Sequence, residues 1–126
     1  MFNENLPIYI QIMNLIKRRI VKGEIRRGDK LPSVRDLSTE LKVNPNTIQR
    51  SYHELERENL VFTQRGMGTY VTEDENIIKE LKQSMASSLV NSFIQDMRSL
   101  GFDLEEIVSI IDEKMREGKW WLILLK

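Results

Sequence analysis

The residues from Val43 to Glu56, VNPNTIQRSYHELE, constrain the fold more than any other stretch of the chain. The side chain of Asn44 can accept hydrogen bonds from the free N–H groups of a first helical turn, and Pro45 suits the first helical position, which needs no amide hydrogen. Apolar side chains then recur at helical spacing: Ile48, Tyr52 and Leu55. The sequence therefore predicts a helix that begins at residue 45 and packs one face against a core.

The opposite face of this helix is polar. Successive residues are 100° apart, which places on that face Asn46, Arg50, His53 and Arg57. Amides can bridge adenine, the hydroxyl of Thr47 lies near the helix start, and Arg50 can bond a guanine edge or a phosphate. An ordinary solvated helix surface carries similar residues. This helix alone therefore leaves a DNA contact and a plain surface both open.

The preceding residues predict two further helices. Isoleucines and a leucine at helical spacing follow Pro7, and Gly23 ends that segment. Ser33, with Asp36 three residues later, has the spacing of a helix N-terminus. The second predicted helix is separated by a tight turn at 42–44 from the helix that begins at residue 45. This order predicts a helix-turn-helix with a third helix closing its core.

After Asn59 the sequence pattern changes to that of strands. Residues 60–63 and 69–72 are rich in β-branched and aromatic side chains, and they flank the glycine-containing segment 64–68. This arrangement predicts a β-hairpin with a relaxed tip. A basic residue on such a tip can enter a narrow minor groove. Three helices followed by such a hairpin predict a winged helix over residues 1–72.

The remaining residues, 73–126, predict a two-helix segment after an acidic, flexible junction at 73–76. Gly101 ends the first helix, and Asp103 with Glu106 marks the start of the second. Both helices carry wide apolar faces, and leaving these exposed would cost roughly 1.5–3 kcal/mol per large side chain. We therefore expect a homodimer, formed through Leu81, Met85, Leu89, Phe93, Met97, Ile107 and Ile111.

Charge divides between the two parts of the chain. Residues 1–72 hold 12 Lys and Arg against 8 Asp and Glu, and residues 73–126 hold 7 against 11, so a basic part and an acidic part cancel. Cysteine is absent, which excludes disulfides and thiolate metal sites. The sequence predicts no signal peptide, no membrane association, no metal and no cofactor, and hence a cytoplasmic chain. The apolar tail 119–126 is predicted to pack on the dimer as a strand or as a helical extension.

Five ordered motifs together resemble the DNA-binding domain of GntR-family bacterial transcription regulators over about residues 6–72. They are PIY at 7–9, GDKLPSVRDL at 28–37, VNPNTIQRSY at 43–52, LER at 55–57 and RGMGTYV at 65–71. The NPNT turn and the short C-terminal segment are most similar to the YtrA-like branch. The fold class implied is mainly α with a small β-hairpin: a winged helix-turn-helix domain followed by a two-helix dimerisation segment.

The resemblance also implies DNA contacts at particular positions. They fall on the second helix, the first turns of the recognition helix and the hairpin tip: Arg35, Asn46, Thr47, Gln49, Arg50, Arg65, Gly66 and Met67. Relatives have arginine where this chain has Pro45, which moves the expected base contact toward Arg50. Arg35 has an alternative structural role as an ion-pair partner of Asp36 or Glu40.

The function predicted is a sequence-specific transcription regulator that binds double-stranded DNA as a homodimer. The resemblance favours a repressor acting on a palindromic operator, with control of transporter genes and an unidentified small-molecule inducer as further implications. The alternative is a protein-interaction module that uses the winged helix or the C-terminal helices. An enzyme is not predicted, because the chain has one histidine, no cysteine and no phosphate-binding glycine loop before a helix.

Overall fold

The computed structural model describes residue 2 and residues 4–118. Within that part, five helices and one antiparallel hairpin follow in the order α1 (Ile8–Val21), α2 (Val34–Leu41), α3 (Pro45–Arg57), β1 (Val61–Gln64), β2 (Gly68–Val71), α4 (Glu75–Ser99) and α5 (Leu104–Glu117). The predicted fold class, mainly helical with a small hairpin, is confirmed. The prediction for the tail 119–126 falls outside the described residues.

The chain forms two compact units, which divide inside α4 between Gln83 and Ser84. The first unit contains the three helices, the hairpin and the start of α4. Its core is built from apolar side chains of every one of these elements except α4: Ile12, Met13, Ile16, Ile20, Leu31, Leu37, Ile48, Tyr52, Leu55, Leu60, Val61 and Val71. Ile12, Ile48 and Leu55 are fully buried, so α3 packs through the apolar face that its sequence predicts.

The starts of α2 and α3 are fixed by the predicted capping residues. The Ser33 hydroxyl accepts a 3.0 Å hydrogen bond from the Asp36 N–H, and the Asn44 side-chain oxygen accepts a 2.8 Å bond from the Asn46 N–H. Pro45 occupies the first turn of α3. The turn between the two helices passes through Lys42, whose φ of 56° is left-handed.

Replacing Lys42 with glycine is expected to stabilise the first unit. A side chain at a left-handed C-cap is strained, whereas glycine adopts that conformation without a Cβ clash. The gain, after the larger entropy that glycine brings to the unfolded chain, is about 0.5–1 kcal/mol. Urea unfolding of Lys42→Gly against wild type measures it, and an unchanged or lower midpoint would contradict the strain.

The hairpin pairs Val61 with Val71 and Gln64 with Gly68. Each strand lies one residue from its predicted range, toward the hairpin tip. Leu60 is not part of β1, because its N–H bonds the Leu55 carbonyl and closes the end of α3. The segment before α2 lies along β2, since the Leu31 N–H donates to the Thr69 carbonyl at 2.8 Å. The hairpin is therefore attached to the helical core on both sides.

Tyr52 of α3 links that helix to the start of α2. Its hydroxyl donates a 2.7 Å hydrogen bond to the Pro32 carbonyl, and its side chain is buried. Burial, with a smaller contribution from the negative charge of Glu40, raises the pKa of Tyr52 to about 12. The ring thus fixes the separation of α2 and α3 while remaining protonated at neutral pH.

Tyr52→Phe is expected to cost about 1 kcal/mol of stability at neutral pH, through loss of this hydrogen bond. Because the pKa of Tyr52 is higher in the folded than in the unfolded state, protonation of its hydroxyl stabilises the fold. This contribution to the free energy of unfolding is complete below the unfolded pKa of about 10 and is lost as the pH rises toward about 12. Wild type should therefore lose stability faster than Tyr52→Phe in that range, and the gap between them should close. Urea unfolding of both proteins at several pH values tests this, and a constant gap would contradict it.

The second unit contains the rest of α4 and all of α5. Its helix α5 begins with a complete capping box, in which Asp103 and Glu106 each accept a hydrogen bond from the other's backbone N–H. In the first unit, α4 begins at Glu75, inside the segment predicted as a flexible junction, because the Asp74 side chain accepts a 2.9 Å bond from the Asn76 N–H. No helix among the described residues is long and apolar enough to span a bilayer.

Candidate nucleic-acid interface

The first turns of α3 present half of the predicted DNA-contacting residues. Asn46, Gln49 and Arg50 are exposed, and Thr47 is half-buried. The opposite side of the helix is fixed by Ser51, which is completely buried and whose hydroxyl lies 2.9 Å from the Thr47 carbonyl. These polar side chains therefore project from a helix whose rotation is set by the core behind it.

Arg35 lies in the first turn of α2 and is exposed. The alternative role as an ion-pair partner of Asp36 or Glu40 is not seen, because in the described part of the chain no carboxylate lies within 4.0 Å of its guanidinium. Helix α2 is held against the next turn by the Ser38 hydroxyl, which donates to the Val43 carbonyl. Its first turn and that of α3 thus belong to one packed pair.

The hairpin tip consists of Arg65, Gly66 and Met67, all exposed. The Met67 N–H bonds the Gln64 carbonyl at 2.9 Å and closes the turn. Gly66 has a φ of 78°, a left-handed conformation that side chains rarely adopt. The turn therefore requires glycine next to Arg65, and it presents the arginine at the end of a two-stranded arm.

Basic side chains of the first unit include some that pair with a carboxylate and some that do not. Lys17 bonds Glu58 at 2.8 Å, and Arg57 bonds Glu54 at 3.2 Å. No carboxylate in the described residues pairs with Arg35, Arg50 or Arg65, which lie on α2, α3 and the hairpin, and the same holds elsewhere in the unit for Arg18, Arg19 and Arg26. Positive charge that no internal carboxylate neutralises is available for an anionic partner.

Arg50 makes a contact that the sequence does not predict. Its Cζ atom lies 3.8 Å from the centroid of the Tyr9 ring, which belongs to α1. The two residues are 41 positions apart, and no periodicity or motif connects them. The contact depends on the packing of α1 against α3.

The predicted dimerisation residues differ in their surroundings. Leu81 packs against the core of the first unit, and Ile107 is buried in the second. Met85 and Met97 are half-buried, whereas Leu89, Phe93 and Ile111 are exposed. In the second unit an apolar cleft of about 300 Å³ is lined by Phe93, Met97, Ile110, Ile111, Lys114 and Met115.

Among the described residues, no group of three or more His, Cys, Asp or Glu side chains is arranged to hold a metal ion. The single histidine, His53, is exposed on the polar face of α3. The surface formed by α2, α3 and the hairpin tip is therefore best characterised by its exposed arginines and amides.

Comparison with known proteins agrees with this architecture. The sequence model of one protein family, the bacterial regulatory proteins of the gntR family, matches residues 8–71. The HTH-type transcriptional repressor YtrA of Bacillus subtilis is 42% identical over 85% of this chain and 83% of its own length. A solved GntR-family transcriptional regulator from Listeria monocytogenes is 45% identical, covering 89% of this chain and 98% of that one, with a TM-score of 0.82.

A further solved structure shows a related domain with DNA bound. It contains the DNA-binding domain of AraR in complex with operator ORX1, is 29% identical, covers 56% of this chain and 87% of that one, and has a TM-score of 0.53. The fold, the family match and these relatives agree with one another. The chain belongs to the GntR family of bacterial regulatory proteins, and it is a DNA-binding transcription regulator with a winged helix-turn-helix domain.

Proposed function

We propose that the protein is a homodimeric, cytoplasmic repressor that binds a palindromic operator through the surface formed by α2, α3 and the hairpin tip. The observation that carries the proposal is that Arg35, Arg50 and Arg65 lie exposed on three separate elements, without a carboxylate partner among the described residues. A polyanion uses all of them.

Each element contributes a different kind of contact. Asn46, Thr47 and Gln49 at the start of α3 have the amides and hydroxyl that bond base edges in the major groove. Arg35 at the start of α2 contacts bases or phosphates beside them. Arg65, with Gly66 and Met67, enters the minor groove from the hairpin tip. The operator-bound structure of the AraR domain supports this use of the fold.

The second unit supports the dimer. Large apolar side chains remain exposed on both of its helices, among them Leu89 at 60% and Val108 at 65% of their full accessible surface. A contiguous apolar face of this kind is typical of an interface. A second copy of the same helices would cover it and place two DNA-binding domains at a fixed separation, as a palindrome requires. Residues 1–72 would then bind DNA, and residues 73–126 would form the dimer.

The regulatory role follows from the relatives rather than from the residues. The name of the related YtrA describes a repressor, and a protein that occupies an operator blocks transcription by occupancy. Control of a transporter operon and release by a small-molecule inducer complete the proposal. An inducer would release DNA by binding better to one arrangement of the dimer than to the other.

The proposal is tested by using the full chain to select duplexes from a random pool and then titrating the most enriched duplex with the protein. Fluorescence anisotropy compares the selected duplex with a shuffled duplex of equal length and composition at physiological salt. We expect the selected duplex to be palindromic and to bind at least about 1,000-fold more tightly than the shuffled one. Equal binding to both duplexes, or none to either, would overturn the proposal and favour a protein-interaction module.

A further inference from the structure

The side chain of Arg50 does not extend freely from α3. Its Cζ atom lies over the ring of Tyr9, 3.8 Å from the centroid, well within the distance at which a cation is attracted to the face of an aromatic ring. In the described part of the chain no carboxylate pairs with Arg50. The aromatic ring is therefore what directs the guanidinium.

The ring itself is held in place by the core. Tyr9 is half-buried and packs against the core of the first unit. Its carbonyl oxygen lies 3.0 Å from the hydroxyl of Ser51, the residue that follows Arg50 on α3. This link joins α1 to α3 beside the stacked pair. The position of the ring relative to the backbone of Arg50 is consequently set by packing and by a buried hydrogen bond.

This placement favours one kind of DNA contact over another. An arginine that bonds a guanine must extend into the major groove until two of its nitrogens reach the base edge. A guanidinium held over Tyr9 stays beside α1, at the side of the recognition helix. A guanidinium over a ring still has N–H donors that point away from the ring, and these match phosphate oxygens.

We propose that Tyr9 is a positioning residue, which holds the Arg50 guanidinium for a contact with a DNA phosphate rather than with a base edge. The inference rests on the DNA-binding function proposed above. It assigns a role to α1, which contributes no residue to the predicted set of DNA contacts. It also divides the exposed polar residues of α3, because Asn46 and Gln49 are left to contact bases.

A double-mutant cycle tests the proposal in the full-length protein. Tyr9→Leu removes the ring and keeps an apolar side chain, Tyr9→Phe keeps the ring without its hydroxyl, and Arg50→Ala removes the cation. The double variant Tyr9→Leu with Arg50→Ala closes the cycle. Affinities for the selected and the shuffled duplex are measured over a series of salt concentrations, and urea unfolding reports the stability of each variant.

We expect Arg50→Ala to weaken binding to both duplexes by the same factor. The slope of log affinity against log salt should fall by about 0.9 for each phosphate that the variant no longer neutralises. Tyr9→Leu should weaken binding about two- to fivefold for each of the two pairs in the dimer, and it should have no effect when Arg50 is already alanine. Tyr9→Phe should bind like wild type, because the ring face and not the hydroxyl holds the arginine.

Two results would overturn the inference. One is an equal decrease in affinity on Tyr9→Leu with and without Arg50, which would make the ring structural only. The other is that Arg50→Ala selects a different DNA sequence from wild type, which would show that the arginine contacts a base. Because Arg50 is exposed, its removal should leave the protein folded, so this measurement can be made even if Tyr9→Leu is unstable. If wild type binds both duplexes equally, or binds neither, the proposed function fails too. If wild type prefers the selected duplex but the effects of Tyr9→Leu and Arg50→Ala are simply additive, only this inference fails.

Discussion

Arg35→Ala is expected to weaken binding to the selected duplex by about 30-fold or more, because removing an arginine that bonds DNA costs about 1–3 kcal/mol and the proposed dimer has two copies of it. The side chain lies in the first turn of α2, exposed and without a carboxylate partner among the described residues. Its removal therefore breaks no ion pair within the described part of the protein. Stability in urea should stay close to that of wild type, and anisotropy titration measures the affinity.

Arg57→Ala is the matched control for this prediction. It removes the same charge from the same unit, but Arg57 lies at the end of α3 and pairs with Glu54 at 3.2 Å. An exposed pair of this kind contributes little to stability. We expect a change in affinity of less than about threefold, from the general loss of positive charge. Equal effects of the two substitutions would show that only net charge matters and would remove Arg35 from the interface.

Ile111→Glu is expected to abolish the proposed dimer and, with it, most of the affinity for a palindromic duplex. Ile111 lines the apolar cleft of the second unit and is 41% exposed. In a two-fold interface the substitution buries two carboxylates against apolar side chains, and burial of an unpaired charge is strongly unfavourable. Losing the second DNA-binding domain should lower affinity about 100-fold or more. Analytical ultracentrifugation measures the association, and titration measures the affinity.

Ser109→Glu gives the comparison for that variant. Ser109 lies on the same helix, in a polar cleft with Asp112, Glu113, Arg116 and Glu117. The same charge added there should leave both the dimer and the operator affinity unchanged. The interface proposal fails for α5 if Ile111→Glu still sediments as a dimer, or if Ser109→Glu dissociates to the same extent. Circular dichroism shows whether each variant keeps its helices.

Local chemistry made much of the fold predictable from the sequence. Asn44 and Pro45 mark the start of α3, and Asp103 with Glu106 marks that of α5, because a helix N-terminus has free N–H groups that these side chains satisfy. The start of α4 was harder to predict. Its acidic residues suggested a flexible junction, but Asp74 caps the helix, and Ile77, Ile78 and Leu81 pack against the core.

The candidate site was predictable only in part, and for a different reason. The placement of Arg35, Asn46 and Arg65 on a helix start, a helix face and a hairpin tip follows from patterns that lie within short stretches of sequence. The contact of Arg50 with the Tyr9 ring depends on how α1 packs against α3, and no local pattern encodes that packing. Leu81 is a second example. The sequence predicts it at the dimer interface, but it packs against the core of the first unit, because an apolar stripe does not reveal which helical turns pack within the subunit.

The location of the DNA-binding surface is the central claim, and amide chemical-shift mapping by NMR tests it most directly. Nitrogen-labelled full-length protein is titrated with the selected duplex, and shifts are followed residue by residue. We predict the largest changes at the first turns of α2 and α3 and at the hairpin tip, around Arg35, Asn46, Thr47 and Gly66. Changes confined to α4 and α5, with these three elements unaffected, would contradict the account.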